Sequence, residues 1–85
     1  MTIRFLNPFV QDYKKLDPPV RLKVDKFLSV LARDRNHPSL RVRKMVNRSD
    51  IYEARVDAHF RVTFELSSEL IIMRRVGTHE VYRRP

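Results

Sequence analysis

The hydropathy pattern of this chain changes period once, and that change limits what it can fold into. Val20, Val24, Phe27, Leu28 and Leu31 recur at helical spacing. From Ile51 onward the period drops to two. Tyr52, Ala54 and Val56 alternate with Glu53 and Arg55, and Phe60, Val62, Phe64 and Leu66 alternate with His59, Arg61, Thr63 and Glu65. Leu70–Val76 is more continuously apolar, as a buried central strand would be. Helices followed by strands specify an α+β class, with a helical hairpin packed on an antiparallel sheet of about four strands. The 85 residues suffice for one domain, 1–85, with one modest core.

Local signals set the boundaries. Thr2–Leu6 reads as a short strand. Asn7-Pro8 looks like a helix cap followed by proline in the first turn, and Asp17-Pro18-Pro19 repeats the device. The first helix carries Phe9, Val10, Tyr13 and Leu16, and the second runs from about Pro18 to Asp34. Leu22 falls off the second helix's apolar stripe, so it meets the first helix or a partner. Lys14, Lys15, Arg21, Lys23 and Lys26 face solvent. Asn36-His37-Pro38-Ser39 reads as a turn, Leu40–Met45 as a short strand and Asn47–Asp50 as another turn.

Register gives the sharpest expectation, because apolar residues must meet apolar residues on the face beneath the helices. In the first hairpin this puts Val56 opposite Phe60, Ala54 opposite Val62 and Tyr52 opposite Phe64, so Arg55 faces Arg61 on the other side. In the second hairpin it puts Leu66 opposite Leu70, Phe64 opposite Ile72 and Arg61 opposite Arg75. Arg55, Arg61 and Arg75 then form a row across three strands. Directly opposed like charges destabilise a sheet unless an anion sits over them. One residue misfits: the same register turns Arg74 toward the helices, which calls for a bulge near Arg74 or an escape at the sheet edge. A bulge would remove Arg75 from the row.

The overall charge agrees with an anionic partner. Eighteen Lys and Arg against ten Asp and Glu give +8, and thirteen of the eighteen are arginine, whose planar fork matches phosphate. The excess is not a basic tail, since both halves of the chain are net positive. Nucleic acid and an acidic protein are the two partner classes that fit. The absence of cysteine excludes a disulfide framework, a thiol nucleophile and a Cys-type zinc site, and makes the cytoplasm the expected compartment. No apolar run has the length of a membrane span or a signal peptide.

His37, His59 and His79 are too scattered for a metal motif, and no Gly-rich phosphate loop occurs, so neither metal nor cofactor is expected. What remains is acid–base chemistry beside arginines. Gly77-Thr78-His79-Glu80-Val81-Tyr82 follows the last strand and puts His79 and Tyr82 at the mouth of the basic face. RNA suits such a set. Its 2′-OH can attack the adjacent phosphate if a base takes that proton, an acid protonates the leaving 5′-oxygen and cations hold the phosphorane charge. Neighbouring arginines should depress the imidazole and phenol pKa values.

The pieces His37-Pro38-Ser39-Leu40, Ile51-Tyr52-Glu53-Ala54-Arg55-Val56, Phe60-Arg61-Val62-Thr63-Phe64 and Arg75-Val76-Gly77-Thr78-His79-Glu80-Val81-Tyr82 resemble, in order and spacing, the RelE/ParE superfamily of toxin–antitoxin toxins. The resemblance implies a microbial-ribonuclease-like sheet, mRNA cleavage in the ribosomal A site and neutralisation by a cognate antitoxin that offers an acidic segment. It makes Arg61 the phosphate-stabilising arginine and His79 and Tyr82 its catalytic companions. It makes Arg55 and His37 substrate contacts, with turn capping the other role open to His37; Arg75, Arg43 and Lys44 complete the expected substrate-binding set. Glu53 stands where some active members have lysine, and His59 replaces the usual glycine before the aromatic residue. ParE-type members of the same fold act on DNA gyrase without catalysis, so gyrase inhibition and a non-toxic binding module are the alternatives to an mRNA endonuclease.

Overall fold

The structure, a computed structural model, describes residues 2–46 and 48–85; the Ser49 side chain also lies outside the described set. The elements run β1 (Thr2–Phe5), α1 (Asn7–Lys14), α2 (Pro18–Arg33), a 3-10 turn (Pro38–Leu40), β2 (Arg43–Met45), β3 (Arg48–Arg55), β4 (Arg61–Leu66), β5 (Leu70–Gly77) and a second 3-10 turn (His79–Tyr82). The strands form one five-stranded sheet in the order β1-β5-β4-β3-β2. The expected class holds, but β1 joins the sheet parallel to β5, so the sheet is mixed and has five strands. No described helix is long and apolar enough to cross a membrane.

Both helices carry proline in their first turn. Leu6 is the extended cap residue of α1 and Asn7 already lies inside it, so the cap falls one residue earlier than the sequence reading placed it. Asp17 precedes α2, where Pro18 and Pro19 supply the fixed φ of a first turn. The α2 stripe goes inward: Val24, Phe27 and Leu31 are buried, with Val20 and Leu28 packed partly against the core. Leu22, off the stripe, is 69% exposed, so the first helix does not cover it. Tyr13 donates to Asp25 at 2.6 Å and ties the hairpin together. Under the helices lie Ala54, Val62, Phe64, Ile71, Met73 and Val76.

The first sheet hairpin has the expected register, with Tyr52↔Phe64, Ala54↔Val62 and Arg55↔Arg61 paired. The second does not. Leu66 pairs with Ile71 and Phe64 with Met73; then the register shifts, so Thr63 meets Arg75 and Arg61 meets Gly77. Leu70-Ile71-Ile72-Met73 is apolar throughout, so alternation there cannot choose which set faces the core. The buried set is Ile71 and Met73 before the bulge and Val76 after it. The pairing is one residue off the expected register from Leu66 onward and the irregularity at Arg74 adds another, so Arg75 stands opposite Thr63, outside the arginine row. Arg75 instead binds Asp12 of α1 through Nε–Oδ2 at 2.6 Å and Nη2–Oδ1 at 3.1 Å. Asp12 Oδ2 also accepts from the Val76 backbone N–H at 3.1 Å, serving the β5 edge just beyond the end of β1.

The proposed turn at Asn47–Asp50 is corrected in part: Arg48–Asp50 already belong to β3, and Asn47 lies outside the described residues. Leu40 belongs to the 3-10 turn rather than to β2.

The sheet face away from the helices is covered at its centre. Thr63 and Glu53, paired across β3 and β4, are buried there. The C-terminal segment crosses this face, with Val81 and Pro85 buried and the Pro85 carbonyl oxygen accepting from Thr63 Oγ1 at 3.0 Å.

Candidate active site

A concavity of about 260 Å³ opens beside that C-terminal segment. Arg55 and Arg61 reach it from a directly opposed pair on β3 and β4. Arg43 reaches it from β2, where it pairs with Glu53 across the strands. His79 and Tyr82 enter from the 3-10 turn after β5. Five of the eight expected site residues therefore line one space.

The arginines are held differently. Arg61 is half-buried, and its Nη1 donates to the carbonyls of Asp57 at 2.8 Å and Phe60 at 3.1 Å, which fixes the guanidinium to its own hairpin loop. Arg43 Nε donates to Glu53 Oε1 at 2.7 Å. Arg55 is exposed. Opposite Arg61 stands Gly77, with no side chain to fill the space beside the guanidinium.

Tyr82 corrects one electrostatic expectation. Burial pushes its phenol above the usual tyrosine range, and the Glu53 carboxylate adds to the effect, outweighing the opposing pull of Arg61 and Arg43. At neutral pH Tyr82 therefore keeps its phenol proton.

Three expected residues lie elsewhere. Arg75 is bound to Asp12, as described above. Lys44 pairs with Tyr52 on the helix side of the sheet, and its Nζ stands 5.9 Å from the Tyr52 ring centroid. Strand alternation forbids Arg43 and Lys44 from sharing a pocket. His37 caps the first 3-10 turn: its Nδ1 accepts from the Ser39 N–H at 3.2 Å. It borders a different cleft, with Arg35 and Tyr52.

Two residues of the concavity were missed as site members. Arg41 lines it from a left-handed backbone position, φ 51° and ψ 48°, at the end of the first 3-10 turn. Its spacing two residues before Arg43 was the available signal. Glu53, taken as a lost positive contact, is 7% exposed and supplies the carboxylate of the pocket. Its i, i+2 relation to Arg55 already placed it on that face.

The sequence matches no family model, and it matches no curated protein. Solved structures do match. A chain of the RelB-RelE antitoxin-toxin complex from Methanococcus jannaschii aligns over 94% of both chains with TM-score 0.77 at 21% identity. The chain has a RelE-like fold. YafQ from E. coli strain BL21(DE3) aligns over 94% of both chains with TM-score 0.79 at 15% identity. A YoeB/ParE toxin from Agrobacterium tumefaciens aligns over 93% of this chain and 99% of its own with TM-score 0.76 at 13% identity. Within this RelE-like fold the concavity sits between the strand face and the segment that follows β5.

Proposed function

We propose that this chain is the toxin of a type II toxin–antitoxin system and that it stops translation by cutting mRNA in the ribosomal A site. The observation that carries the reading is the shared concavity, where Arg41, Arg43, Arg55 and Arg61 surround a space that also receives His79 and a Tyr82 held as the phenol.

In the reaction, the ribose 2′-oxygen bonds to the adjacent phosphorus while the bond from phosphorus to the 5′-oxygen breaks, leaving a 2′,3′-cyclic phosphate. His79 takes the 2′-OH proton. Tyr82 gives its proton to the leaving 5′-oxygen. Arg61, fixed by its loop carbonyls, and Arg55 beside it stabilise the phosphorane oxygens, and such preorganised donors are worth more than mobile ones. Glu53 orients Arg43 and adds to the burial that keeps Tyr82 protonated. Two of the neighbouring structures are antitoxin complexes, RelB-RelE and DinJ-YafQ. A cognate antitoxin with an acidic, amphipathic segment fits the +8 charge of this chain.

The test is expression without antitoxin, with primer extension on a reporter mRNA. Arg61→Ala and Tyr82→Phe should each lower cleavage by about 10²-fold or more, with circular dichroism unchanged. Toxicity that persists undiminished in both variants overturns the reading. A DNA-damage response with intact mRNA would identify a gyrase-directed protein, and silent high-level expression a binding module.

A further inference from the structure

A second concavity, of about 420 Å³, lies on the other side of the C-terminal segment and is lined by Arg48, Arg74, Arg75, Arg83 and Arg84. That is five of the thirteen arginines around one small space, and no acidic side chain lines it among the described residues. We propose that it is a second phosphate-binding site, which holds the RNA strand where that strand leaves the catalytic concavity. The proposal rests on RNA being the substrate.

The arginines reach this space by distinct routes. The irregularity in β5 puts both Arg74 and Arg75 toward the C-terminal segment. Each is tethered: Arg74 to Glu65 and, through Nε, to the Pro85 carbonyl at 3.0 Å; Arg75 to Asp12 and, through Nη1, to the Arg84 carbonyl at 3.2 Å. Arg83 stands 3.7 Å from Glu80 at an exposed position. Arg48 and Arg84 are exposed and have no ion partner among the described residues. Two tethered guanidiniums and three exposed ones thus border a space in which Asp12, Glu65 and Glu80 offset three of the five charges and leave Arg48 and Arg84 for an incoming anion.

Position joins this site to the first. Thr63 pairs with Glu53 on one side and Arg75 on the other, so both concavities lie on the same face of the sheet. Tyr82 lines one and Arg83, the next residue, lines the other. The C-terminal segment is a ridge between them, and a strand crossing it would set phosphates on both sides. Besides the five arginines the lining holds Leu6, Pro8 and Pro85, which do not form the run of apolar side chains along which an amphipathic acidic peptide would lay its apolar face. A phosphodiester backbone needs only the charge.

The experiment is fluorescence anisotropy with 2′-O-methylated oligouridylates, a dinucleotide and an octamer, across a salt series. A single strand loses about 0.7 in the slope of log K against log salt for each phosphate contact removed. Arg48→Ala/Arg84→Ala should therefore make the octamer slope shallower by about 1.4. It should leave dinucleotide binding unchanged, and Arg48→Lys/Arg84→Lys should restore the slope. Thermal melts confirm that the variants fold. An unchanged octamer slope in the alanine variant, with Arg61→Ala still weakening binding, overturns this site and leaves the catalytic reading standing. Loss of polyglutamate binding without loss of RNA binding overturns it in favour of a protein partner.

Discussion

Gly77→Ala tests the link between the end of β5 and the turn that carries His79 and Tyr82. A Cβ at this position would lie 2.9 Å from Val81 Cγ1. Carbon atoms pack at about 3.5–4.0 Å, so the approach is short by about 0.6–1 Å. Val81 is 5% exposed, and its β-branched side chain has little rotameric freedom, so the turn backbone must move. Overpacking of this kind costs about 1–3 kcal/mol, offset by about 0.4–1 kcal/mol from the lower entropy of the unfolded alanine chain. The central net loss of about 1.3 kcal/mol should lower Tm by about 5–10 °C for a domain of this size. Urea unfolding of the double-mutant cycle with Val81→Ala isolates the contact. Removing the valine methyls gives the new Cβ room, so the double variant should be more stable than the summed single effects by about 1 kcal/mol or more. The shifted turn carries His79 and Tyr82, and a displacement near 1 Å can cost about 10²-fold in rate. RNA cleavage at a temperature where all variants are folded should therefore fall in Gly77→Ala and partly recover in the double variant. Additivity within about 0.5 kcal/mol would refute the reasoning.

Asp12→Ala removes the acceptor shared by the Arg75 guanidinium and the Val76 N–H, both partly buried. With the side chains 29% and 15% exposed, a loss of about 2 kcal/mol in chemical denaturation is expected, and less for Asp12→Asn; equal stability to the parent would contradict the assigned bonds. The Tyr82 phenol should titrate above the ordinary tyrosine value of about 10 in ultraviolet difference spectra, and Tyr82→Phe should delete that step. Because its folded pKa is raised, its contribution to stability is present below that ordinary value and lost as pH rises through the folded one. Burial pushes the Asp57 carboxyl up, but the N–H groups of Phe60 and His59 and the Lys23 ammonium outweigh it and hold the pKa below its usual value. That stabilisation is present above about pH 4 and disappears as pH falls through the folded value. Asp57→Asn should flatten the acid limb of the urea midpoint, and parallel limbs would count against it.

What could be read from the sequence follows from which constraints are local. The α2 stripe and the first hairpin register were legible because each apolar position had polar neighbours at the right period. The second hairpin was not, because four consecutive apolar residues satisfy either phase, and only Arg74 signalled that a regular ladder would fail. The parallel docking of β1 depends on a contact across the whole chain, Thr2 to Leu70 through Phe5 to Met73, which no local pattern encodes. Arg41 and Glu53 were within reach of period-two reasoning, which likewise separates Lys44 from Arg43.

The irregularity at Arg74 does more than relieve a misfit. Carried on unbroken from Phe64↔Met73, the ladder would set Val76 beside Arg61 and Arg74 beside Thr63, and would turn Arg75 into the core opposite Val62. The register shift sets Gly77 beside Arg61 instead and turns both arginines toward the C-terminal segment. The side-chain-free position leaves room for the turn that brings Val81, and with it His79 and Tyr82, against the strands. One extra residue in β5 therefore accounts for two features at once: the open space next to Arg61 and the separate cluster of arginines across the ridge. A variant that restored a continuous ladder would crowd the first and dissolve the second, so the two concavities should be lost together.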